Sequence, residues 1–94
     1  MKILIILGHP SPESFNHAIA KAVRDDLTEL GFEVMFHDLY QEKFPPLLPE
    51  AEISRIGQLD KTVETHCQEL LVADGIVIVH PNWWGQPPAI VTGW

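Results

Sequence analysis

"MKILIILGHPSPESFN", residues 1–16, runs from an apolar stretch into a loop of histidine, prolines and serines. Lys2 to Leu7 is almost wholly apolar and rich in β-branched residues. That is the pattern of a strand covered on both faces. Beyond the loop, Phe15, Ala18, Ile19, Ala22, Val23, Leu27 and Leu30 recur at helical spacing. They form the inner stripe of an amphipathic helix, with Lys21, Arg24, Asp25 and Glu29 between them, toward water. Ser14 suits the N-cap of this helix, and Gly31 its C′ position.

Outward from there the alternation continues. "FEVMF", residues 32–36, suits a second strand. "DLYQEKFPPLLPE" is a loop, punctuated by Pro45, Pro46 and Pro49. From Gln58 to Val72 the spacing predicts a second helix with Leu59, Val63, Cys67, Leu70 and Leu71 inside. Asp74-Gly75 is its turn into a third buried strand, Ile76 to Val79, and "PPAIVTGW" starts another helix. The order β-α-β-α-β means a parallel α/β sheet with right-handed crossovers. Such a sheet takes its ligand at the carboxyl ends of the strands, where the strand order reverses. With order 2-1-3, the loops His9–Asn16 and His80–Pro88 meet there.

The 94 residues make one domain at most, and 46% hydrophobic with 20% charged residues is a globular composition. Thirteen acids against six bases give a net charge of −7, which argues against nonspecific nucleic-acid binding. A small anion is still allowed, because backbone N–H groups hold phosphate without a cation. Cys67 is the only cysteine, so no internal disulfide forms and a reducing, cytoplasmic setting is expected. It reads as a small core residue on a helix; the functional alternative is a reactive thiol. No apolar run reaches the roughly 18 residues of a membrane span, and the N-terminus reads as a strand, not a signal peptide.

The two loops carry the chemistry. The helix starting near Phe15 presents free N–H groups and a positive dipole end to the first loop. Ser11, Ser14 and Asn16 add hydroxyl and amide donors, and His9 adds a ring nitrogen. Together they suit one or two phosphate groups; the alternative is a capped helix with nothing bound. In the second loop Trp83 and Trp84 cannot both enter one core from an extended chain. At least one lines a cleft or a surface, where indole is a flat apolar wall. The alternative is a hydrophobic lid or an oligomer contact. His80, at a strand end, reads as a structural group rather than a catalytic one. Neither G-x-G-x-x-G nor G-x-x-x-x-G-K-[ST] occurs. His9, His17, His37, His66 and His80 show no ligand spacing with Cys, Asp or Glu, so no metal site is expected.

"ILIILGHPSPESFNHAIA", "DLY" and "ADGIVIVHPNWWGQPPAIVTGW" together resemble the flavodoxin-like NAD(P)H:quinone oxidoreductases. That family includes DT-diaphorase, the modulator-of-drug-activity-type reductases and the ancillary subunits of potassium-efflux systems. The resemblance covers the whole chain. It implies a flavodoxin-like three-layer α/β/α domain that binds FMN or FAD and passes a hydride from NAD(P)H to a quinone-like acceptor. It also implies a cytoplasmic homodimer. His9, Ser14, Phe15 and Asn16 would take the flavin phosphate side. Pro81, Asn82, Trp83, Trp84 and Gly85 would lie along the isoalloxazine ring; no catalytic residue is assigned. The likeness further implies that residues 1–94 are the N-terminal portion of a single domain whose later strands, third flavin loop and tyrosine-histidine pair lie beyond it. The apolar third strand and the helix at Trp94 point the same way. Two other readings stand beside the enzyme: a flavin-binding regulatory subunit on a membrane transporter, and a non-catalytic fragment or interaction domain.

Overall fold

The computed structural model describes residues 1–46, 61–83 and 85–94. The elements are β1 (Lys2–Leu7), α1 (Phe15–Glu29), β2 (Glu33–Asp38), α2 (Lys61–Val72), β3 (Gly75–Val79) and α3 (Ala89–Gly93). The described strands form one parallel sheet in the order β2-β1-β3. This is the expected topology, with β1 in the middle and Leu4 to Leu7 fully buried. β2 runs two residues further than expected, to Asp38, which carries that carboxylate to the sheet's carboxyl edge.

Alternation along the strands divides the core in two. Leu4 and Ile6 face one side with Leu39 and Phe44, and Met35, Val63, Ala73, Ile90, Val91 and Trp94 pack against them. Leu7 and Val79 face the other side with Ala20 of α1, and Phe36 and Val77 pack beside them. The layers are therefore α1, the sheet, and α2 with α3.

Both ends of α1 form as the local signals dictate. Ser14 accepts the His17 N–H at 3.2 Å as N-cap. Gly31 takes a positive φ of 93° just past the last turn, and its N–H donates to the Thr28 carbonyl. Asp74 ties α2 into the sheet: its carboxylate accepts the Lys2 N–H at 2.7 Å.

The inner faces of both long helices differ from the hydropathy reading. On α1, Phe15 is 79% exposed, and Ala18, Ile19, Ala22 and Leu30 also face out, while His17 and Ala20 are buried. Arg24, expected in water, is half-buried with its guanidinium 5.4 Å from the centre of the Phe36 ring. The turn of the helix has a physical cause. His17 finds partners for both ring nitrogens, Ala20 allows close approach to the sheet, and the Arg24 guanidinium lies over an aromatic face. On α2, Cys67, Leu70 and Leu71 are exposed rather than core. His66 takes the inner position instead, satisfied by Glu42 and Trp94. Gln58 and Leu59 lie outside the described residues. β3 is also not covered on both faces: Ile76 and Ile78 are 47% and 48% exposed. They share a sheet face with Leu4 and Ile6, but among the described residues the cover over that face is centred on β1.

One close approach fixes α3. A Cβ on buried Gly8 would stand 2.3 Å from Val91 Cγ2, so only glycine lets α3 lie against the end of β1. Gly8→Ala is expected to cost about 1–3 kcal/mol through overpacking. Urea unfolding reads it; an unchanged midpoint would show that Val91 yields freely.

Candidate functional site

The carboxyl edge of the sheet is where the strand order reverses. The Gly8 N–H donates to the Val79 carbonyl at 2.9 Å, carrying the β1–β3 pairing into the two loops. The His9 ring then lies 6.1 Å from the Trp83 ring, inclined by 64°, and 6.3 Å from His17. Topology thus brings the two loops side by side, as the 2-1-3 order requires.

Between the first loop, α1 and the end of β2 opens a cleft of about 670 Å³. His9, Pro10, Pro12, His17, Lys21, Arg24, Phe36, Asp38, Tyr40 and Gln41 line it. The volume lies in the range of small-molecule and cofactor sites. Two cations and two histidines sit beside one carboxylate, although the chain as a whole is acidic.

A chain of hydrogen bonds sets the cleft floor. His17 Nε2 donates to Asp38 Oδ2 at 2.8 Å, with both side chains nearly buried. The ring's Nδ1 stands 2.8 Å from the Ser14 hydroxyl. In a neutral ring Asp38 holds the proton on Nε2, so Nδ1 accepts from the Ser14 hydroxyl. Ser14 is therefore engaged twice, as helix cap and as partner of His17. Asp38 Oδ1 also accepts the Gln41 N–H at 3.2 Å. In the loop, His9 Nδ1 accepts the Ser11 N–H at 3.0 Å, and Nε2 has no hydrogen-bond partner among the described residues. The half-buried Asn16 amide and the Phe15 and Asn16 backbone N–H groups have no partner among the described residues. The Phe15 ring points to solvent.

The second loop is shaped by its backbone. Trp83 and Gln86 exchange two hydrogen bonds of 2.9 Å, and Gly85 supplies the positive φ of 79° that the turn needs. Trp83 is exposed and Trp84 lies outside the described residues. Pro81 is half-buried, Asn82 and Gly85 are exposed, and Pro88 is fully buried under the turn into α3. The His80 Nδ1–H donates to the carbonyl of its neighbour Pro81 at 2.8 Å.

A second polar cluster lies on the opposite face of the sheet. His37 of β2 bonds Glu42 through Nδ1, at 2.6 Å, and Glu69 of α2 through Nε2. His66 Nε2 meets the other oxygen of Glu42 at 2.9 Å, and its Nδ1 accepts the Trp94 indole N–H at 2.9 Å. The two rings lie against each other with centroids 3.8 Å apart and planes inclined by 33°. Burial alone would lower the pKa of His37. The hydrogen bonds and negative charges of Glu69 and Glu42 outweigh it and hold the ring above its ordinary value. Spacing along the chain gave no ligand set here, because the groups come from β2, the turn after it and α2.

The sequence reading named His9 for the first loop but passed over Lys21, Arg24, Phe36 and the His17–Asp38 pair. One signal was available. His17 stands three residues after Ser14, where a side chain reaches back to the cap, and Asp38 opens "DLY".

Residues 1–94 match the Flavodoxin_2 family, described as a flavodoxin-like fold. An uncharacterized NAD(P)H oxidoreductase of Haemophilus influenzae is 37% identical over the whole of this chain and 48% of its own length. NAD(P)H dehydrogenase (quinone) 1 of Rattus norvegicus is 29% identical over 99% of the chain and 41% of its own length. The solved NAD(P)H:quinone oxidoreductase from Methanothermobacter marburgensis superposes with a TM-score of 0.86. It is 29% identical, and the match covers all of this chain and 51% of that one. The chain spans about half the length of the curated relatives it matches.

Proposed function

The chain belongs to the Flavodoxin_2 family, with its flavodoxin-like fold, and on that premise we propose that it forms the flavin-holding part of an NAD(P)H oxidoreductase acting on a quinone-like acceptor. The observation that carries the reading is the meeting of the two loops at the reversal of strand order, with His9 against Trp83. The residues present fit an FMN or FAD. Unpartnered N–H groups at the start of α1 and the Asn16 amide suit a phosphate, and Trp83 offers an aromatic wall beside them. Lys21 and Arg24 add positive charge in the adjoining cleft. When bound, a flavin would take a hydride from NAD(P)H and deliver it to the acceptor.

The roles of the chain's own residues follow. His9, Ser14, Phe15 and Asn16 serve the phosphate side. Ser14 acts through its cap and through His17, while Asn16 offers its amide directly. Pro81, Asn82, Trp83, Trp84 and Gly85 shape the wall for the ring, and the paired turn at Trp83 and Gln86 holds that wall in place. Under this reading residues 1–94 are the N-terminal portion of a single flavodoxin-like domain, and the protein is a cytoplasmic homodimer. Among the described residues no helix is long and apolar enough to cross a membrane.

The test is the absorption spectrum of the purified protein, followed by NAD(P)H oxidation with and without a quinone. Flavin bands and quinone-dependent oxidation are expected. A colourless protein that takes up neither FMN nor FAD would sink the reading. Within it, Asn16→Ala is expected to weaken flavin binding by about 1–3 kcal/mol, the loss of a hydrogen bond to a charged group. Flavin fluorescence quenching measures this. Ser14→Ala is a poorer probe because it also removes the helix cap. Unchanged affinity in Asn16→Ala would take that amide out of the site.

A further inference from the structure

The cluster behind the sheet has no part in the proposed flavin site. One nitrogen of each imidazole, His37 Nδ1 and His66 Nε2, is aimed at the Glu42 carboxylate, one at each oxygen. A donor atom from each of His37, Glu42 and His66 lies within 4.8 Å of the other two. Two imidazole nitrogens and a carboxylate oxygen converging in this way are a donor set for a borderline divalent ion. The outer nitrogen of His37 is held by Glu69, the carboxylate behind histidine that orients a metal-binding ring and raises its basicity. We propose that His37, Glu42 and His66 form a Zn²⁺ site, with Glu69 behind His37 and water in the fourth position.

Ligands about 2.0–2.2 Å from a tetrahedral zinc stand roughly 3.3–3.6 Å apart, so each histidine nitrogen must draw back from the Glu42 oxygen that it now meets, at 2.6 and 2.9 Å, to admit the ion. The ion takes the place of the proton that His37 Nδ1 shares with Glu42. His66 needs one further change. Trp94 Nε1–H can only donate, so in the ion-free chain the His66 ring proton sits on Nε2, toward Glu42. Zinc on Nε2 moves that proton to Nδ1, where it faces the indole N–H. Trp94 must then release His66, which makes the indole a reporter of occupancy. Glu42, Glu69 and the net charge of −7 favour a cation. The ion would tie β2 and its following turn to α2. That turn also carries Tyr40 and Gln41, which line the cleft on the other face, so the site would brace one cleft wall. None of this depends on whether a flavin binds.

Chelator-stripped protein titrated with Zn²⁺ by calorimetry, and with Co²⁺ by visible absorption, tests the site. The expected result is one ion per chain, with Co²⁺ bands of tetrahedral intensity that Zn²⁺ abolishes. A higher melting temperature should accompany it, since a ligand of the native state stabilises that state. Tryptophan emission should change on binding, and Trp94→Phe should remove that change. Glu69→Gln should weaken affinity about 10–100-fold, and Glu42→Gln combined with His66→Gln should abolish the tetrahedral bands. The Co²⁺ spectrum of the unaltered protein needs no variant to fold. Absence of binding, weak octahedral bands from surface carboxylates, or affinity unchanged in the double variant would each overturn the proposal and leave the cluster a set of proton-bridged ion pairs.

Discussion

Replacing Asp38 with alanine is expected to lower stability by about 3 kcal/mol, the range for breaking a nearly buried, hydrogen-bonded pair. Asp38 ends β2 and holds three things at once. Its Oδ2 accepts from His17 Nε2, its Oδ1 accepts the Gln41 N–H, and through His17 it orients the Ser14 hydroxyl. Alanine leaves the His17 N–H without an acceptor in a place that water barely reaches. The Gln41 N–H loses its partner too, and with it the start of the turn that walls the cleft. Asp38→Asn keeps an acceptor oxygen toward His17 and is expected to cost about 1 kcal/mol. Urea unfolding of the two variants separates lost charge from lost hydrogen bonding. If alanine were tolerated within about 0.5 kcal/mol, as at an ordinary surface position, the pair would not anchor α1 to β2. The arrangement of the cleft floor would then need another cause.

That pair also shows where reading a sequence stops. β1, the strand order, the cap at Ser14 and the stop at Gly31 were legible because each signal is local or follows from topology. An apolar run of six, a hydroxyl before a helical stripe and a glycine after it need no knowledge of distant residues. The meeting of the two loops followed from the order 2-1-3 alone. The inner faces of α1 and α2 were not legible. Hydropathy assigns polar residues to water, yet His17 and His66 are buried. Their carboxylate partners lie 21 and 24 residues away, in elements that come together only after folding. His37 and Glu69, 32 residues apart, are hidden for the same reason. A buried histidine is paid for by its acceptors, and the linear pattern says nothing about them. Arg24 fails differently. Its charge reads as solvent-facing, but its guanidinium lies over the Phe36 ring.

Ile6→Ala is expected to cost about 2–5 kcal/mol, the range for cutting a buried isoleucine back to alanine. Ile6 is fully buried in the central strand, in one cluster with Leu4, Leu39 and Phe44 and under Val91 and Trp94. The loss would be a large share of the roughly 5–15 kcal/mol that holds a typical domain together. Ile78 is the informative control. It pairs with Ile6 in the parallel register, so it points to the same side of the sheet. Hydropathy ranks the two positions alike, but Ile78 is 48% exposed. Truncating a half-exposed side chain removes less apolar surface from cover and leaves no enclosed cavity, so Ile78→Ala should cost about 1 kcal/mol or less. Denaturant unfolding of both variants gives the ratio directly. A ratio of about two or more follows from the packing described. Equal, large costs would mean that the β3 face is covered in solution by something beyond the described residues. The exposure of Ile76 and Ile78 would then not describe the working protein.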